Sequence, residues 1–584
     1  MAMMRCKPVI SSLAFASFLM GGAAPVAMAS SSDDAQIRAL RLEMAQMRKE
    51  MMGQITTLKS RLARTESVSH KQDHMSTASA HGGRATSHRE IASGPVDPNI
   101  QFDEPPTLAR KPFLTVGATD YRREPTTYGQ VTGMPVPMSQ ESSSRGFHKG
   151  QFNVGRISIT LGGYVEMAGI FRSRNETADI SSNFGSIPWM NNPNAHINEF
   201  HQTERQSRFS ALVGSDINST MSVSGYTELD FQGAGSSSNS RQSNSYVLRS
   251  RLMYGEFEDR GHDFYVMGGQ AWSLATLFKQ GMGMRSEQIP LVIDAQYVPG
   301  FTWTRNTGVR FVKGFHNHEY HIGLAIENPQ SIWGGTNYIA PGQKITYNNP
   351  GGQVENSTTS YSTDVAPDII LKGTADPKFG HFEAFGLLRF LHDRVSSVGS
   401  GKSHTAVAGG GGGGMVIPII KKKFEFQASG LAGYGVGRYG TSNLSDATTR
   451  LNGAPAPLPE AQALVGLLGH PTKALDIYAY GGIEQIMARS SFSVGGKPYG
   501  YGNSAFNVAG CNVEISPLAC NANISRVAQG TVGFWWRYFQ GDYGTLAVGA
   551  QFSHTSVKAF SGIGGTPHTD DNMAFISLRY MPFQ

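Results

Sequence analysis

Six arginines, Arg208, Arg249, Arg251, Arg310, Arg389 and Arg537, fall on one parity in stretches where apolar and polar residues alternate. A guanidinium stays charged at physiological pH and grips carboxylate or phosphate through parallel N–H donors, so a row of them favours anions. The acids Glu166, Glu228, Asp230 and Glu383 share that parity. Two outcomes are therefore open, a basic ladder or ion pairs that brace a wall. Arg249 and Arg251 lie on one face of one stretch, with Arg208 and Arg310 nearby, which points to a local ladder in a mixed lining. A second charged group, Lys279, Arg285, Glu287 and Asp294, is embedded in the apolar segment Leu274 to Val298. Such a segment is too apolar to stand in water; folded inward it would carry its charges on a packed ledge, whereas folded outward it would cover the surface or a neighbouring chain.

Other chemistry finds little support. Cys511 and Cys520 lie nine apart in a stretch rich in Gly, Asn, Pro and Ala, and in an exported chain they most simply close a loop disulfide. Two cysteines with no histidine beside them do not make a zinc site, and His70, His74, His81 and His88 read as a solvated polar tract, so no metal and no cofactor is expected. Gly409 to Gly414 lacks the Gly-Lys-Ser/Thr ending of a phosphate loop; its missing side chains leave room for close packing from inside or outside. There is no Gly-x-Ser-x-Gly elbow and no His-Glu-x-x-His motif, so no enzyme is expected.

The elements that must position these residues begin with an export signal. Arg5 and Lys7 precede the apolar Val9 to Met20 and the small-residue site Ala27-Met28-Ala29, so residues 1–29 read as a signal peptide. Its removal takes two basic residues and no acid, lowering the net charge from +6 to +4, too mild for nucleic-acid binding. Within 34–65, Ile37, Leu40, Met44, Met47, Met51, Ile55, Leu58 and Leu62 recur at spacings of three and four. That seam fits a helix packed on its own domain or a short coiled coil between identical chains; the second is expected, because the polar linker 66–150 offers nothing to pack on.

From residue 156 to the end the period is two, which makes 151–584 an all-β domain. Ile157, Ile159, Leu161, Val165, Met167 and Phe171 alternate with Arg156, Ser158, Thr160, Tyr164, Glu166 and Arg172. The pattern returns around Met221 to Phe231, Phe382 to Phe390 and Leu546 to Phe552. Mean hydropathy is −0.27 and no apolar run is long enough for a membrane helix, but barrel strands hide from hydropathy averages. Connection lengths separate a membrane barrel from a soluble sandwich. Short links near 216–219, 259–262, 314–318, 375–380, 419–422, 470–473 and 540–543 alternate with mostly long ones, including 174–204, 275–299, 328–366, 440–458 and 488–525. That rhythm predicts a transmembrane antiparallel β-barrel of about sixteen strands, with short periplasmic turns and long outer loops. Phe534, Trp536, Tyr538 and Tyr580 are placed for an interfacial girdle.

Tyr254-Gly255-Glu256-Phe257, Gly268 to Ser273, Asn306 to Arg310, Gly530 to Trp535 and the ending Arg579-Tyr580-Met581-Pro582-Phe583 resemble the DcaP-like trimeric porins, as does the N-terminal heptad segment. The resemblance implies a homotrimer in the outer membrane of a Gram-negative cell, a coiled coil in the periplasm, and uptake of small, often anionic solutes such as dicarboxylates. Of the family's basic wall residues it carries over Arg249, Arg251 and Arg310. The long linker, the final Gln584 and the acids in the lining depart from the family pattern. The expected partners are a second and third copy of the chain, membrane lipid and small solutes, with no nucleic acid. The alternatives are a surface barrel of structural or adhesive type, plugged by residues 101–150, and an outer-membrane hydrolase.

Overall fold

The computed structural model describes residues 150–233, 247–337, 339, 341–350 and 360–584. The signal peptide, the coiled-coil helix and the linker before Gly150, including any plug formed by it, lie outside the described residues.

Alternation builds sixteen long strands. The first eight are β1 (Ile157–Arg172), β2 (Arg208–Asp216), β3 (Met221–Gly233), β4 (Val247–Asp259), β5 (Phe264–Trp272), β6 (Arg305–Phe315), β7 (Tyr320–Glu327) and β8 (Asp368–Ala375). The rest are β9 (His381–Ser397), β10 (Ser400–Ile420), β11 (Phe424–Tyr434), β12 (Pro459–Thr472), β13 (Leu475–Ile486), β14 (Ile524–Gly541), β15 (Gly544–Ala559) and β16 (His568–Met581). Each pairs antiparallel with the next, and β16 returns to β1 from Val165↔Tyr580 to Arg172↔Met573. The full sheet has 19 strands; Gln151–Val154, Glu199–Thr203 and Lys344–Thr346 are short additions beside the ring, leaving sixteen. Closure is how a sheet satisfies its backbone in lipid without an edge.

The two faces have opposite chemistry. Val165, Met167, Phe171, Ile576 and Leu578 are exposed on the outside, while Glu166, Arg172, Ser577 and Arg579 of the same strands are buried inside. An oily exterior over a polar interior is the pattern of a membrane barrel. Phe534, Trp536, Tyr538 and Tyr580 all face outward toward one end. Among the described residues no helix is long and apolar enough to cross a membrane.

At one end the links are short: 217–220, 260–263, 316–319, 376–380, 421–423, 473–474 and 542–543. At the other they include 173–207, 273–304, 328–367, 435–458 and 487–523. One link at the long end departs from the expected rhythm. Val398 and Gly399 alone join β9 to β10, whose 17 and 21 residues pair without a break from His381↔Val416 to Ser397↔Ser400. Here the strands themselves lengthen in place of a loop.

Candidate functional site

The interior is organised around segment 273–304, which leaves the top of β5 and runs inside the ring. Leu274, Phe278, Met282, Ile293 and Val298 are fully buried there. The Leu274 N–H donates to Glu327 Oε1 of β7 (2.8 Å), and the Phe278 N–H donates to Glu383 Oε2 of β9 (3.1 Å). Farther along, Gln288 Nε2 donates to Glu425 of β11 (2.7 Å), and Trp535 of β14 donates to the Leu291 carbonyl (2.7 Å). The Gly300 N–H closes the crossing on Glu484 Oε1 of β13 (2.7 Å). Tied to strands far around the ring, the segment narrows the lumen. Two glycines make room for it: a β-carbon on Gly414, in the six-glycine run of β10, would lie 2.6 Å from Leu277 Cδ1, and one on Gly482 would overlap the Pro299 carbonyl.

The predicted wall residues point inward, and most are matched by acids. Arg208 reaches Glu228 (3.5 Å), and Arg251 grips both Glu228 (2.7 Å) and Asp230 (3.1 Å). Arg249 binds Asp230 through Nε and Nη2 (2.9 and 2.7 Å) and remains 32% exposed at its side chain. The register of β3 on β4 slips at this point, Glu228 pairing Leu252 and Leu229 pairing Ser250, which leaves Arg251 as the bulged residue. A bulge re-aims side chains, so Arg251 and its neighbour Leu252 are both buried. Arg389 sits between Asp368 (3.2 Å) and Asp446 (2.8 Å), and Arg438 also reaches Asp368 (3.3 Å), fastening segment 435–458 into the ring. Arg579 holds Glu166 (3.0 Å) and Arg537 holds Asp476.

Among the described residues, Arg310, Arg285 and Arg305 have no carboxylate within ion-pair distance. Arg310 lies over the Phe278 ring (5.8 Å) and donates to the Trp272 carbonyl. Arg285, on the crossing segment, stacks at 5.5 Å from the Tyr226 ring, and its Nε and Nη1 have no acceptor. Arg305, at the start of β6, lies 5.0 Å from the Trp272 ring with Nη1 unmatched. Lys279 is partly exposed and 3.7 Å from Glu425. Burial pushes the carboxyls of Glu287 and Asp294 on this segment upward, toward the neutral form. Burial likewise pushes Asp446 up against the pull of Arg389, and Glu176 in segment 173–207 up to about 8 against Arg172.

Arg305 and Arg438 escaped the reading by parity. Arg305 opens its strand, so alternation does not place it; the signal available is its position two residues after Trp303. Cys511 and Cys520 are bonded within segment 487–523.

No protein-family model matches the chain, and no curated protein matches it. Among solved structures, the outer-membrane channel DcaP of Acinetobacter baumannii aligns over 74% of this chain and 99% of its own, with TM-score 0.51 and 13% identity. The chain has the DcaP fold. An anion-selective porin from Comamonas acidovorans (TM-score 0.41, 10% identity, 73% and 99% covered) and Salmonella typhi OmpF in complex with daunomycin (0.40, 8%, 74% and 99%) are also similar. The uncovered quarter of the chain relative to the DcaP structure is of the same order as the residues before Gly150.

Proposed function

We propose that the chain is an outer-membrane porin, assembled as a homotrimer, through which small hydrophilic solutes diffuse passively with a preference for anions. The observation that carries this reading is the crossing of segment 273–304 inside a sixteen-stranded ring, which sets an aperture rather than an open tube. Arg249, Arg285 and Arg305 support the preference: the first is partly exposed, and the other two have no acid to neutralise them. Arg208, Arg251 and Arg389 brace the wall in this reading, because their charge is already matched. Solute gradients alone drive transport, and no cofactor takes part.

A second reading, a closed surface barrel, draws on one apolar cluster that includes Ile180, Phe184, Phe278, Val298, Tyr439 and Tyr501 from four inward segments. Planar-bilayer recording of the purified protein separates the two. Stepwise ion current supports the porin and its absence supports the closed barrel. A cation-selective reversal potential in a salt gradient would remove the anion preference alone.

A further inference from the structure

At the short-turn end of the ring, three residues from two adjacent turns converge. Asp263 ends the β4–β5 turn, His318 lies in the β6–β7 turn, and His321 is the second residue of β7. One donor atom from each lies within 4.8 Å of the others. His318 Nδ1 is 2.6 Å from Asp263 Oδ2, and the other carboxylate oxygen, Asp263 Oδ1, is buried with no hydrogen-bond partner.

We propose that Asp263, His318 and His321 form a binding site for a divalent transition metal of the zinc class. Two imidazoles and a carboxylate are the donor set such an ion prefers, and three protein ligands leave a position for water. Ligand bonds of about 2.0–2.2 Å put donors roughly 3.4 Å apart, so side-chain rotation within the turns suffices to close the set. The surroundings supply the orienting layer that metal histidines use. Thr374 Oγ1 is 3.4 Å and Asp376 Oδ2 3.9 Å from His321 Nδ1. Asp376 is itself held by His381 Nδ1 (2.8 Å) and accepts the Gly281 N–H (3.0 Å) of the crossing segment. An ion here would therefore join two turns directly and the crossing segment through Asp376.

The test uses the full chain, folded in detergent, free of any purification tag and stripped with chelator. Zinc alone is titrated calorimetrically at a pH of about 7.5, where imidazole is neutral. The chain has 17 histidines, so the readout is a difference between variants, in which zinc taken up elsewhere cancels. His318→Ala and the near-isosteric Asp263→Asn are each expected to lose one equivalent per chain. His316→Ala, an exposed histidine of the same turn, is expected to lose none from the tight class. Asp376→Asn is expected to weaken that equivalent by about 10- to 100-fold. Heat-modifiable electrophoretic mobility checks that each variant keeps its barrel. Equal zinc stoichiometry and affinity in wild type, His318→Ala and Asp263→Asn would overturn the site.

Discussion

Two adjacent glycines of β13 give a matched pair of perturbations. Gly482 faces the lumen between Tyr480 and Glu484, and a methyl there would overlap the Pro299 carbonyl; a methyl on Gly481 meets nothing within 4 Å. Non-bonded contact needs about 3.5 Å, so Gly482→Ala forces the Pro299 carbonyl to retreat by about 1.8 Å. That movement carries the Gly300 N–H beyond reach of Glu484, from which it now stands at 2.7 Å. A hydrogen bond contributes about 0.5–1.5 kcal/mol net, so the seated population of segment 273–304 falls by roughly 2- to 13-fold relative to the unseated one. Single-channel recording should show added large-conductance states or flicker in Gly482→Ala, with Gly481→Ala matching wild type. Identical traces from the two variants would refute the claim that the segment's fit against β13 sets the aperture.

Removing an unmatched charge should alter selectivity. At about 5 Å in water-like dielectric a unit charge contributes roughly 0.8 kcal/mol, cut to about half by physiological salt, with opposite sign for cation and anion. Arg285→Ala or Arg305→Ala should thus lower the anion-to-cation permeability ratio by about 3- to 6-fold in a reversal-potential measurement, and Arg389→Met by much less if the protein folds. For Glu176, a native carboxyl near 8 against an ordinary 4.5 means that stability present at low pH is lost as pH rises between these values, by up to about 1.4 kcal/mol per unit. Glu176→Gln should therefore gain on wild type in unfolding assays from pH about 5 to about 8 and then level off; a constant gap across that range would contradict the burial of this carboxyl. Reducing or deleting the Cys511–Cys520 bond, which closes a loop of nine residues' separation, should cost segment 487–523 about 2–3 kcal/mol of local order, read as faster proteolytic nicking. Two free thiols in the unfolded, unreduced protein would show that the bond is absent.

The ring was legible in the sequence because each strand has one environment on each face. Val165, Met167 and Phe171 must meet lipid, Glu166 and Arg172 must not, and that constraint writes itself at period two. The strand number followed from turns such as 473–474 that admit few residues. The charge partners were not legible. Whether Arg251 meets Glu228 depends on a slip in register between β3 and β4, and a bulge leaves no mark on composition. The inward course of 273–304 was foreshadowed by its apolar residues, but its anchors Glu327, Glu383, Glu484 and Trp535 come from positions up to 244 residues away. Nothing in local spacing unites them, just as no motif unites Asp263 with His318.

The seam between β1 and β16 has a consequence for assembly. Neighbouring strands elsewhere meet across a few dozen residues, as Tyr164↔Arg208 does, whereas Val165↔Tyr580 joins positions 415 apart. Bringing such distant ends together costs about 5 kcal/mol of chain entropy by a logarithmic closure law, against about 3 kcal/mol for the longest neighbour loops. The seam is thus the last to zip. Until Met573–Tyr580 has been delivered, the sheet keeps two open edges, so the final fourteen residues of β16 act as a kinetic checkpoint on whether a growing chain matures or aggregates.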